Sequence, residues 1–142
     1  METTSRKIRN VVFSSLVVIF VVLLGNVIGL GRYFGLGRLP LAALGSMAAV
    51  FFVLAVMQII LTAKIKESKL RKTFFMLTGI SAAAIPICAI LHNVVYGLFF
   101  QGKDGDEAVF FILALLVCPA LFVLGALGSI ITGISGSLKK KE

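Results

Sequence analysis

Apolar residues run along this chain in four long blocks, and the charged residues gather between them. No Asp, Glu, Lys or Arg occurs at positions 10–31, 39–63, 73–102 or 108–138. A helix rises 1.5 Å per residue, so about 20 apolar residues cross a hydrocarbon core of about 30 Å. Each block meets that length. The pattern predicts an all-α integral membrane protein, an up-down bundle of four transmembrane helices spanning approximately 11–30, 41–63, 74–100 and 108–135. Four spans and their short connections use the whole length, so residues 1–142 form a single membrane domain with no soluble catalytic module.

The connections carry their own stop and start signals. Residues Gly31 to Pro40 hold three glycines that break the first helix, and Pro40 suits the opening turn of the second. In the third connection Asp104 is placed to cap the fourth helix, with Glu107 as its capping-box partner. The acids Asp104, Asp106 and Glu107 lack the spacing of a calcium loop.

Charge sets the orientation. Arg6, Lys7, Arg9, Lys64, Lys66, Lys69, Arg71, Lys72, Lys139, Lys140 and Lys141 fall on one side of a four-span layout, against Arg32, Arg38 and Lys103 on the other. Eleven against three places both termini in the cytoplasm by the positive-inside rule, N-in and C-in. The net charge of +8 therefore reads as a topology signal, not as a nucleic-acid footprint. The expected partners are the bilayer itself, with anionic headgroups near Lys64, Lys66, Lys69, Arg71 and Lys72, and a second copy or another membrane protein. The first block is longer than a signal-peptide core and lacks a small-residue cleavage site, which favours a retained anchor. The location expected is the cell membrane. In a eukaryotic cell the final Lys139-Lys140-Lys141-Glu142 would also fit a dilysine signal for the endoplasmic reticulum.

Small residues predict how the helices meet. Lipid tails are as apolar as leucine, so membrane helices associate by close backbone packing. The fourth span carries Gly125, Ser129 and Gly133 on one row and Gly128, Thr132 and Gly136 on another; the first carries Gly25 and Gly29. These rows serve either intramolecular packing or a dimer face.

Candidate chemistry is sparse. A small multidrug exporter shares this size and span count but uses a membrane-embedded carboxylate, which no span here carries. One histidine is too few for a four-helix cytochrome, and the lack of a C-x-x-C pair disfavours a disulfide-generating enzyme. Neither enzymatic activity nor a cofactor nor a metal is expected. One polar cluster remains. Cys88, His92 and Tyr96 fall at four-residue steps on one face of the third span, with Asn93 alongside. Counting inward puts Cys118 of the fourth span level with Cys88, and Asn26 lies near the same end of the first. Pro86 and Pro119 are placed to bend both helices there. Two readings follow. A structural, interaction or accessory protein would use these groups as hydrogen bonds between helices. A small transporter or channel would use Asn26, Cys88, His92, Asn93, Tyr96 and Cys118 as a pocket open to the outside. A cavity at His92 would favour the second reading, and a fully packed core the first.

Overall fold

In the computed structural model the described residues are 2–33, 35, 37, 39–101 and 107–138; the side chains of residues 2, 32 and 136–138 fall outside that set. Among the described residues there is helix and no strand. Helix α1 is Glu2–Val27, followed by a single helical turn, Leu30–Tyr33. Helix α2 is Leu41–Lys64. Helix α3 is Lys69–Val95 prolonged by a π-turn, Tyr96–Phe100. Helix α4 comprises Val109–Ile112, a second π-turn at Leu113–Val117, and Cys118–Leu138. All four are long and apolar enough to cross a membrane.

Helices α1 and α3 run longer than their apolar blocks. Helix α1 begins nine residues before position 11, because nothing in Glu2 to Asn10 breaks a helix and its polar residues simply continue the coil past the apolar part. It ends at Val27, short of position 30. Gly29 takes φ 75°, a left-handed backbone that glycine adopts without cost and that stops the helix. Asn26 fixes the turn, its Oδ1 accepting the Leu39 N–H at 3.1 Å. At the other end Ile65 leaves α2 in extended backbone, and α3 starts at Lys69, five residues before the expected 74.

The helices pack in chain order, α1 on α2, α2 on α3 and α3 on α4. Their cross-contacts run in opposite directions along each pair, which makes consecutive helices antiparallel. The tightest approaches use glycine. A Cβ on Gly125 would lie 2.7 Å from Thr78 Oγ1 and 2.8 Å from the Thr78 nitrogen, and one on Gly79 would lie 2.8 Å from Ile59 Cγ1. Gly128 lies flat against the Phe74 ring. These glycines let α4 and α2 reach the backbone of α3, where dispersion contacts hold membrane helices together. Of the fourth-span rows, Gly125 and Gly128 thus pack against α3 within the chain.

Other expected packing positions behave differently. Gly29 has open space around it, and Gly25 faces only Leu30 of the next turn, so neither forms a helix interface. Their place is the end of α1, where the chain turns. A Cβ on Gly133 would meet only Arg71 Nη2, at an ordinary 3.7 Å. Thr132 is half-buried and donates to the Gly128 carbonyl of its own helix at 2.7 Å. The surroundings of Gly136 lie outside the described residues.

The α1–α4 seam is closed by side chains. Phe20 and Phe122 meet with ring centroids 4.3 Å apart, and Phe51 of α2 completes a triad at 5.9 Å from Phe122 and 6.5 Å from Phe20. Such aromatic pairs add about 0.5–1.5 kcal/mol each beyond their buried area.

Candidate functional site

Above the aromatic triad, away from the chain termini, α1 and α4 diverge and leave a cavity of about 320 Å³. Its floor is Phe20 and Phe51. Leu23, Leu24 and Val27 of α1 form one wall, and Phe111, Ala114, Leu115 and Pro119 of α4 form the other. Ile85, Ala89, His92 and Asn93 of α3 form its back. Leu24, Val27, Phe111 and Leu115 are exposed on the bundle surface, so the cavity is a cleft that opens sideways between α1 and α4. Local backbone explains the shape. The π-turn Leu113–Val117 sends the Cys118 amide to the Leu113 carbonyl, and Pro119 follows with no N–H to donate. This extra residue in the turn rotates the last part of α4 relative to its beginning.

The lining is hydrocarbon except at His92 and Asn93. His92 Nδ1 lies 2.9 Å from Glu107 Oε2 and 3.0 Å from the Glu107 carbonyl oxygen, and its ring is 5.3 Å from Phe111. Glu107 is buried, and its other oxygen accepts the Phe110 N–H at 2.8 Å. The carboxylate therefore caps the start of α4 and holds the imidazole at once. Burial pushes the Glu107 carboxyl up, but the Phe110 amide, the His92 ring and the Val109 amide outweigh it, leaving the pKa below its usual 4.5. The expected capping acid was Asp104, which lies outside the described residues, as does Asp106. The acid that accepts the amide bond is Glu107.

The expected pocket residues part company. His92 and Asn93 line the cleft, although Asn93 spends one donor on the Ala89 carbonyl at 2.8 Å. Tyr96 lies outside the lining, 42% exposed, its ring 6.3 Å from His92, because the π-turn that starts there swings it outward. Asn26 does not join His92; it is engaged in the turn to Leu39. Cys88 and Cys118 are both buried free thiols, and neither lines the cleft. Among the described residues no three His, Cys, Asp or Glu side chains converge on a common point fit for a metal ion.

A second polar cluster lies at the terminal end, where the sequence shows only flanking charge. Arg9 is 0% exposed. Its two terminal nitrogens hold Glu67 at 2.5 and 2.9 Å, and its guanidinium lies 3.8 Å from the Phe75 ring centre. Arg71 approaches the same carboxylate at 3.7 Å, and Arg6 donates to the Lys66 carbonyl at 2.9 Å. Burial raises the Glu67 pKa, but the hydrogen bonds and charge of Arg9, helped by Arg71 and Arg6, bring it below 4.5. The signal for this cluster was present in the helical repeat. Arg9 shares a face with Val12, Phe13, Leu16 and Phe20, all buried.

Neither a protein-family model, nor a curated protein, nor a solved structure is detectably similar to this chain.

Proposed function

We propose that this is a four-pass membrane protein, with both termini cytoplasmic, that works as a small non-enzymatic transporter of an apolar or amphipathic molecule. The observation that carries the reading is the cleft of about 320 Å³ behind His92. That volume lies at the lower end of ligand pockets, and an apolar lining with a few polar groups at one rim is their usual composition. The hydrocarbon walls would hold the body of the ligand, while His92 and Asn93 would meet its polar end. The sideways opening between α1 and α4 would admit it from the bilayer. Glu107 would keep the imidazole oriented and supply negative charge beside it.

The test uses a neutral fluorescent dye of low water solubility with the full chain in micelles. Saturable binding is expected, lost in Ala89→Phe and Ala114→Phe, which fill the cleft, and kept in Leu127→Phe on the exposed face of α4. Vesicles containing the protein should move the dye between leaflets faster than vesicles containing Ala89→Phe. Equal binding by the filled variants would sink the proposal.

A structural or accessory role is favoured by a different observation. The small residues Ala42, Gly45, Ser46 and Ala49 of α2 lie exposed, with open space around Gly45. They would let a second copy or another membrane protein approach that helix closely. Cross-linking of Gly45→Cys in membranes would reveal a partner there.

A further inference from the structure

Helices α2 and α4 run the same way through the bundle, since one antiparallel helix separates them. Their buried faces follow one pattern. On α2 it reads Phe51, Ala55, Gln58, Thr62, and on α4 Phe122, Ala126, Ser129, Gly133, in matching steps of four, three and four residues. The first members of the two rows touch. Seven residues make about two turns and about 10 Å of rise, returning to the same face. Gln58 and Ser129 therefore both lie on the buried side of their helices, on the terminal side of the Phe51–Phe122 contact. Helix register narrows the placement. Ile59 lies over Gly79 and Gly125 over Thr78, the neighbour of Gly79, so Gly125 is level with Ile59 and Ser129, one turn further, is nearest the level of Thr62.

The polar atoms at this level have no hydrogen-bond partner. Gln58 is 0% exposed with both Nε2 and Oε1 unbonded, Thr62 is 1% exposed with Oγ1 unbonded, and Ser129 is 2% exposed with Oγ unbonded. Nearby hydroxyls are satisfied otherwise, Thr78 by the Phe74 carbonyl and Ser81 by Leu77 and Thr78. Leaving three buried side chains unbonded within about a turn of one another is costly in apolar surroundings. A shared guest removes that cost.

We infer that Gln58, Thr62 and Ser129 line an internal binding site for a small uncharged solute that both donates and accepts hydrogen bonds, namely water. The donor set fixes the class. A carboxamide offers two N–H donors and a carbonyl acceptor, and each hydroxyl offers both roles. Charge argues against an ion. Arg9 and Arg71 both hold the Glu67 carboxylate, Arg71 also reaching the Gly133 position, and no charged residue lies at 39–63 or 108–138. The chamber has two lids. The Phe20–Phe51–Phe122 triad closes it toward the His92 cleft, and Arg9 on the Phe75 ring closes it toward the terminal end. The site stands on its own whether or not the cleft carries a ligand.

The experiment is water-contact NMR on the full chain in micelles with nitrogen-15 in the glutamine side chains. Gln58 and Gln101 are its two glutamines, and Gln101 is exposed. The Gln58 amide protons should show cross-peaks to water of the sign given by long-lived bound water, while Gln101 shows only exchange with solvent. Ser129→Ala and Thr62→Val, both nearly isosteric, should each weaken the Gln58 cross-peak at least twofold. A protected Gln58 amide without contact to water, or a cross-peak unchanged in both variants, would overturn the assignment.

Discussion

Arg9 and Glu67 are 58 positions apart in the chain and form a two-pronged ion pair between α1 and the α2–α3 turn, under the ring of Phe75. The pair is shielded from solvent on both sides, with 1% and 4% of the two side chains exposed. Removing one partner of such a pair strands the other charge. Glu67→Gln should destabilise the protein by about 3 kcal/mol, read as a drop in the unfolding midpoint in detergent. Replacing both residues by methionine should cost much less, because no charge is then left buried. Equal losses for the single and double variants would remove the ion-pair argument.

The same pair predicts an acid limit. The Glu67 carboxyl has a folded pKa below its ordinary 4.5, so its contribution to stability is complete above that pH. It is lost as pH falls through the lowered folded value. Wild-type unfolding temperature should therefore decline below about pH 4.5, and Glu67→Gln should show a smaller decline over the same range. Parallel pH profiles would assign the acid sensitivity to other carboxyls.

Gly125 and Gly133 share a row on α4 but differ in their surroundings. Gly125→Ala forces a methyl group into the Thr78 backbone and should lower thermal stability markedly, by about 1–3 kcal/mol as overpacking does. Gly133→Ala meets only the end of the Arg71 side chain and should be tolerated. The comparison needs only melting curves of the two alanine variants.

Cys88 and Cys118 are buried free thiols on the neighbouring helices α3 and α4. Copper phenanthroline with oxygen should join them in an intramolecular disulfide, two protons and two electrons passing to the oxidant. The product keeps its mobility as a monomer and loses both free thiols in a mass-tag assay. Cys88→Ser should abolish the loss of the second thiol. Persistence of both thiols after oxidation in membranes would place the sulfurs further apart.

Sidedness has its own test. In a background free of Cys88 and Cys118, single cysteines at Ser68 and Gly105 should be labelled from opposite faces of the membrane, Ser68 from the cytoplasm. Labelling of both from one face would contradict four spans.

The four helices were legible because charge exclusion over a bilayer's width is a strong, one-dimensional signal. The interior was less so. Helical spacing put His92 and Asn93 near a common face, but whether Tyr96 joins them depends on a π-turn that no spacing rule reveals. Asn26 was close to them in depth yet belongs to the turn that Gly29 creates. Flanking charges hid the opposite case. Arg9 was grouped with Arg6 and Lys7 as a topology signal, although its register with Phe13 and Phe20 points it inward. The pairing of Glu107 with His92 escaped notice for a related reason, since acids before a helix suggest capping, and one carboxylate here both caps α4 and binds the ring.

Helices that pack strictly in chain order have a consequence for biosynthesis. Each one leaving the ribosome finds its main neighbour already made, so α2 has α1, and α3 has α2, as soon as it is inserted. Among contacts between helices that are not neighbours in the chain, the aromatic closure of Phe20 and Phe51 with Phe122 must wait for the last helix. Contacts that close a long stretch of chain form slowly, whereas neighbours in sequence meet quickly. Folding during synthesis should thus proceed hairpin by hairpin, leaving α1 the freest helix until translation ends.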